Sequence, residues 1–333
     1  MRIGVTYDLR ADYLAMGMSE EDSAEFDAEI TIASLVDALA GLGHEPIRIG
    51  NIRALTQRLA AGERWDAVFN ICEGISGYAR EAQVPALLEA YGIPSVFSDA
   101  LTLALSLDKG WTKRIVRDAG VPTAPFAVIE RPADAAKITL PFPLFLKPVA
   151  EGTGKGVTPR SKVNNAAELR SVAAELLARF RQPVLVETYL PGRECTVGII
   201  GTGDEARALG VLDIIPTDKA VSIDYGYENK ERCAENVTYR LIDGAEAQGA
   251  VDVALAAWRA LRCRDSGRVD VRYDAAGCPQ FLEVNPLAGL NPEHSDLCFL
   301  AAFKGLDYQA LIGLIMSSFL RRHPELASRR AAA

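Results

Sequence analysis

Histidine is scarce: three in 333 residues. The six cysteines, at positions 72, 195, 233, 263, 278 and 298, form no C-x-x-C pair. Too few soft ligands at too irregular a spacing argue against a structural zinc site. Cysteines scattered through a chain of this size read as reduced thiols of a cytoplasmic protein. Net basic charge is also lacking. The formal charge is -8, the opposite of the basic face that a nucleic-acid binder carries. A local group of lysines can still dominate a cleft in an acidic protein. No apolar run reaches membrane-spanning length. The longest candidate, "LIGLIMSSFL" at 311–320, reads as a packed C-terminal helix. The start, "MRIGVTYDLR", has no secretory apolar core.

The length suits two or three domains. Strands at "RIGVTYD", "EPIRIG" and "WDAVFNI" alternate with a helix over 28–43, the rhythm of an α/β layer with parallel strands. Residues 9–25 show no clear period and read as a loop or lid. One helix is expected over about 107–119, and a boundary near it where "GVPTAPF" breaks the pattern. Beyond 142 come strand, glycine-rich turn and strand, then a helix over 168–180. "VLVETYLPGRECTVGIIG" reads as two antiparallel strands joined at a Pro-Gly turn, and "SGRVDVRYDAAGCPQFLEVNP" as a hairpin.

In "FLEVNP", Glu283 and Asn285 are two apart, hence on one strand face. The hairpin brings them beside Asp270. Three oxygen-bearing side chains suit a hard cation shared with a phosphate. The plainer alternative is a salt-bridge network in which Arg268 and Arg272 neutralise these acids. "EGTGKGV" matches neither well-known phosphate motif, yet its glycines let backbone N–H groups approach an anion closely. Lys147, in the apolar strand "LFLKPV", needs an anionic partner if buried. Glu187 and Glu194 flank a segment suited to holding a nucleotide base and ribose. Lysines, glycine loop, acidic linker and oxygen cluster together supply what a Mg-ATP site requires.

These stretches resemble the ATP-grasp superfamily and, within it, the D-alanine–D-alanine ligase family. The likeness is carried by "DKGWTK", "FLKPVAEGTGKGV", "VLVETYLPGRE" and "RVDVRYD…FLEVNPLAGL". It implies an α/β fold of three domains, over 1–106, 107–189 and 190–333, with ATP between the central and C-terminal ones. By motif, Lys109 and Lys147 would contact phosphates beneath a loop of Glu151, Gly152, Thr153, Gly154 and Gly156. Glu187, Thr188, Tyr189 and Leu190 would hold adenine, Leu282 would pack on it, and Glu194 would take the ribose. Asp270, Glu283 and Asn285 would hold two Mg2+ ions, with Mn2+ as a substitute. Lys230 would reach the γ-phosphate, Arg268 would stabilise an oxyanion, and Glu29 would receive an amino group. Gly289 and Leu290 would cradle the second substrate.

The resemblance implies a carboxylate–amine ligase acting through an acylphosphate on amino acids or hydroxy acids, with a homodimer as one candidate assembly. Neither nucleic acid nor membrane is an expected partner. Four departures fall on the substrate side. Thr153 replaces a serine, Glu231 a tyrosine and Glu73 a histidine, and His294 and Ser295 are displaced. Glu73 and Glu231 suggest an altered amino-acid specificity. The competing reading is an ATP-binding regulatory or scaffold protein that has lost ligation.

Overall fold

The computed structural model describes residues 1–220 and 233–326. The N-terminal sheet has three parallel strands, β1 (Arg2–Thr6), β2 (Glu45–Gly50) and β3 (Ala67–Asn70), in the order β2-β1-β3. Its helices are α1 (Arg10–Ala15), α2 (Glu29–Gly41), α3 (Ile52–Ala60), α4 (Gln83–Ala90) and α5 (Ala100–Leu107). The 9–25 stretch, expected as a loop, thus contains a short helix. The helix expected over about 107–119 is borne out within two residues; a further helix, α5, precedes it and is set off from it by Asp108. Its extended backbone ends α5, and its carboxylate accepts from the amides of Gly110 and Trp111 at the head of α6 (Lys109–Asp118). Such a cap satisfies donors that have no partner within the helix.

The second sheet holds β4 (Phe126–Ile129), β5 (Leu144–Pro148), β6 (Lys162–Val163) and β7 (Val184–Thr188), all antiparallel, in the order β4-β7-β5-β6. Helix α7 (Ala166–Phe180) packs on it. The third sheet holds β8 (Glu194–Ile200), β9 (Arg207–Pro216), β10 (Val237–Ile242), β11 (Ser266–Tyr273) and β12 (Pro279–Asn285), in the order β10-β9-β8-β11-β12. Strands β7 and β8 are therefore not the expected hairpin. Each finds other partners, and the Pro191–Gly192 turn carries the chain from one sheet to the next.

Helix α8 (Gly244–Ala260) covers the third sheet through Trp258, Ala254 and Ala250. Of the last helices, α9 (Asp296–Phe303) lies on β8 and β9 of the third sheet and α10 (Tyr308–Arg322) packs against α2. Leu311, Ile312, Ile315 and Phe319 of α10 share a core with Leu35 and Leu39 of α2 and Ile3 of β1. The run at 311–320 is a core helix, as expected. Among the described residues, no single helix is long and apolar enough to cross a membrane. Asp265, in a left-handed conformation just before β11, anchors α10 by accepting from Arg322 at 2.5 Å.

Candidate active site

The second and third sheets face each other across a narrow cleft. Its floor is built on Glu187, in β7. Lys113 of α6 lies 2.6 Å from one Glu187 oxygen and Lys147 of β5 lies 3.2 Å from the other. Burial by itself would raise the Glu187 carboxyl, but the two ammonium groups outweigh it and hold it below its ordinary range. Burial likewise pulls Lys113 down, and it prevails there. On Lys147 the attraction of Glu187 and Glu283 outweighs burial and raises the group. Lys147, in its apolar strand, thus has an anionic partner. The Glu187 side chain is held by these lysines, and the segment 187–190 expected to hold adenine lines the cleft. Lys113 was missed in the sequence, since a lysine on an amphipathic helix gives no sign of being buried.

Phe145, Thr188, Tyr189, Leu190 and Leu282 supply the apolar and aromatic side of the cleft. Lys162 stands 4.1 Å over the Tyr189 ring, a cation–π distance. Glu194 also lines the cleft, with its carboxylate 3.2 Å from Arg272.

The glycine loop folds over the cleft after β5. Thr153, Gly154 and Gly156 all have positive φ. At Gly156 a Cβ would meet the Pro148 ring at 2.7 Å, so glycine is required there by space as well as by backbone. Lys109 donates to the Glu151 carbonyl at 2.6 Å. Lys155 joins the Glu151 carboxylate at 2.9 Å, and Gln182 donates to that carboxylate at 2.6 Å. The loop is also tied to the 9–27 segment. Glu25 accepts from the Gly152 amide at 2.7 Å and lies 3.2 Å from Lys155 and 3.0 Å from Arg80.

On the other wall, β11 and β12 pair Asp270 with Glu283 and Arg268 with Asn285. The register slips by one between Asp270 and Val271, so Leu282 is an extra residue, a β-bulge. Strict alternation would place Leu282 and Glu283 on opposite faces. With the bulge both line the cleft, while Phe281 and Val284, three apart, both point into the core. Asp270 accepts from Thr196 at 2.6 Å and from Asn285 at 3.1 Å. Glu283 lies 3.7 Å from Lys109 and 3.8 Å from Lys147. Among the described residues no three His, Cys, Asp or Glu side chains converge in metal-holding geometry. The trio here is two carboxylates and a carboxamide, an all-oxygen set that leaves a hard cation to complete its shell with water and phosphate.

A second cavity, of about 410 Å³, opens beside the first. Lys109, Glu151 and Glu283 line both. Gly152, Thr153, Arg268, Asn285, Gly289, His294, Ser295 and Asp296 line the second. His294 and Ser295, displaced along the sequence, nonetheless reach this cavity. Its far side is acidic, with Glu25, Asp27, Glu73 and Glu81. Burial, reinforced by Asp8, pushes the Asp27 carboxyl up to about 8. Burial pushes Glu81 up to about 7, and pushes Glu73, which also faces Glu81 and Glu25, well above its ordinary range.

Two expectations are corrected here. Glu29 does not line the cavity. It starts α2 on the outer surface, where both its oxygens accept from Arg48 at 2.7 Å. Two residues earlier the chain is still in the loop that bounds the cavity, so Asp27 takes that place. Leu290 does not line it either. Its side chain is buried in the core shared with α10, and Gly289 alone of that pair faces the cavity. Lys230 and Glu231 lie outside the described residues. Asp27, Glu81 and Asp296 were not singled out in the sequence. The only available signal was a pair of acids, Glu73 and Glu81, flanking Arg80 just after β3.

A family model described as D-ala D-ala ligase C-terminus matches residues 115–317. A D-alanine–D-alanine ligase of Gluconobacter oxydans is 33% identical over 291 residues, covering 86% of this chain and 92% of that protein. D-alanine–D-alanine ligase B of Xanthomonas campestris is 35% identical over 297 residues, covering 86% and 88%. The solved D-alanine–D-alanine ligase of Bacillus anthracis complexed with ATP superposes with a TM-score of 0.73 at 23% identity, over 98% of this chain and 99% of that one. The expected ATP-grasp fold is therefore the observed one. With the family model spanning more than half of the chain and relatives matched along most of their length, this chain belongs to the D-alanine–D-alanine ligase family.

Proposed function

We propose that the protein is an ATP-dependent ligase that joins the carboxylate of one small substrate to the amine of another. One observation carries this reading: Lys109, Glu151 and Glu283 form the shared wall of two cavities. A nucleotide in the first would present its terminal phosphate at that wall, to a substrate in the second. Lys109 and Lys147 would neutralise the phosphates, beneath the loop of Gly152, Gly154 and Gly156. Tyr189, Leu190 and Leu282 would enclose the base, with Glu194 near the ribose. The division at about residues 106 and 189 into three domains belongs to the same proposal, as does a cytoplasmic location, where ATP and free amino acids meet.

Asp270, Glu283 and Asn285 would hold Mg2+, or Mn2+ in its place. The ion, when bound, would offset phosphate charge. A substrate carboxylate oxygen attacks the γ-phosphorus, and the bridging oxygen leaves with ADP. The amine nitrogen then attacks the acyl carbon, the carbon–phosphate oxygen bond breaks, and the nitrogen loses a proton. Positioning and charge neutralisation do most of this work. Arg268, at the wall of the second cavity, would donate to the tetrahedral oxyanion. The scaffold alternative gains nothing from such a donor, and the family relatives do not favour it.

The test is phosphate release with Mg-ATP across a panel of D- and L-amino acids and hydroxy acids, with mass detection of product. ATP-dependent formation of an amide from one pair is the expected result. ATP binding with no turnover on any pair would sink this reading.

A further inference from the structure

Asp296 begins α9, is buried, and lines the second cavity. It draws together two side chains from other elements. Tyr239 of β10 donates its hydroxyl to one Asp296 oxygen at 2.9 Å, and Arg268 of β11 donates from Nη1 to the other. The same Arg268 nitrogen lies 3.4 Å from the Thr196 hydroxyl and 3.7 Å from Asp270. Asp270 is the poorer anchor of the two acids. It is farther away, and its oxygens already accept from Thr196 and Asn285.

We propose that Asp296 is a positioning residue for Arg268, held in place in turn by Tyr239. This inference rests on the ligase reading. Arginine has a long side chain with several rotatable bonds, and a donor stabilises developing charge only when it is already aimed. Neighbouring groups that lock a functional side chain's rotamer supply that aim. Asp296 does so from a different element, and Tyr239 restricts the carboxylate itself. Its place in the first turn of α9 also suits an acid electrostatically. A purely structural role is therefore the rival explanation, and the test must separate the two.

The oxyanion arises only in the second step, when the amine attacks the acylphosphate. Loss of Arg268 orientation should spare the first step and slow the second. The measurement uses the substrate pair with highest turnover in the panel, and ATP carrying oxygen-18 at the β–γ bridge. Reversible acylphosphate formation moves that label to a non-bridging position. The ratio of scrambling to product formation does not depend on how much of the variant is folded. In Asp296→Asn this ratio should rise about tenfold or more, with kcat falling about 10- to 100-fold and the KM for ATP unchanged. Tyr239→Phe should shift the ratio in the same direction, about threefold. An unchanged ratio in Asp296→Asn overturns the proposal. Should that variant fail to fold, an unchanged ratio in Tyr239→Phe overturns it equally. A wild-type chain that ligates no pair refutes the ligase reading itself, and this inference with it.

Discussion

Lys113 and Glu187 form an ion pair of 2.6 Å in which the lysine is completely enclosed. The pair joins α6 to β7 and fixes the floor on which Lys147 stands. The Lys113 ammonium also donates to Thr123 at 2.5 Å and to the Phe281 carbonyl at 3.3 Å, so it reaches β12 as well.

Lys113→Met should therefore destabilise the protein by about 3 kcal/mol, since it leaves Glu187 short of one cation in a dry site. Urea unfolding would measure it. The double variant Lys113→Met with Glu187→Leu should recover part of that loss in stability. It should not recover nucleotide binding, because Lys147 then loses the nearer of its two carboxylates. A loss below about 0.5 kcal/mol for the single variant would show that Lys147 alone satisfies Glu187.

Leu282 owes its place in the cleft to the bulge. Leu282→Ala should weaken ATP binding about tenfold by removing apolar surface from the base, with little change in melting temperature. Isothermal titration with Mg-ATP reads it directly. Unaltered affinity would remove Leu282 from the nucleotide site.

Asp27 makes stability depend on pH. Its folded carboxyl titrates at about 8, against an ordinary value of 3.8. Between those values the folded state holds a proton that the unfolded state has released. Its contribution is thus fully present below about pH 3.8 and is lost as pH rises through about 8. Asp27→Asn removes this dependence. Melting curves of the variant and wild type should diverge upward in the variant's favour from pH 5 to pH 9. Parallel curves would mean that Asp27 ionises as freely folded as unfolded.

Glu25 ties the glycine loop to the 9–27 segment and to Arg80, through its contacts to Gly152, Lys155 and Arg80. Glu25→Gln keeps the shape but weakens the contacts to both cations. Amide hydrogen exchange at 152–157 should accelerate about tenfold, equal to about 1.4 kcal/mol of lost local stability, and trypsin should cut sooner after Lys155. Exchange as slow as in the wild type would assign the restraint on the loop to other contacts, such as that between Lys109 and Glu151.

The sequence by itself determined the parallel N-terminal layer, the glycine loop, and the hairpin that brings Asp270, Glu283 and Asn285 together. Each of these depends on local periodicity or on strands joined by a short turn. Tertiary structure alone decided the rest. Strands β7 and β8 read as a hairpin and enter different sheets, because β7 pairs with the earlier strands β4 and β5 and β8 with the later strands β9 and β11. Asp27 rather than Glu29 faces the cavity, because two residues separate a loop from the outer face of α2. Lys113 is buried because Glu187 is there to receive it. Leu282 and Glu283 share one cleft because a single unpaired residue shifts the register, and alternation along a strand cannot foretell where packing will insert it.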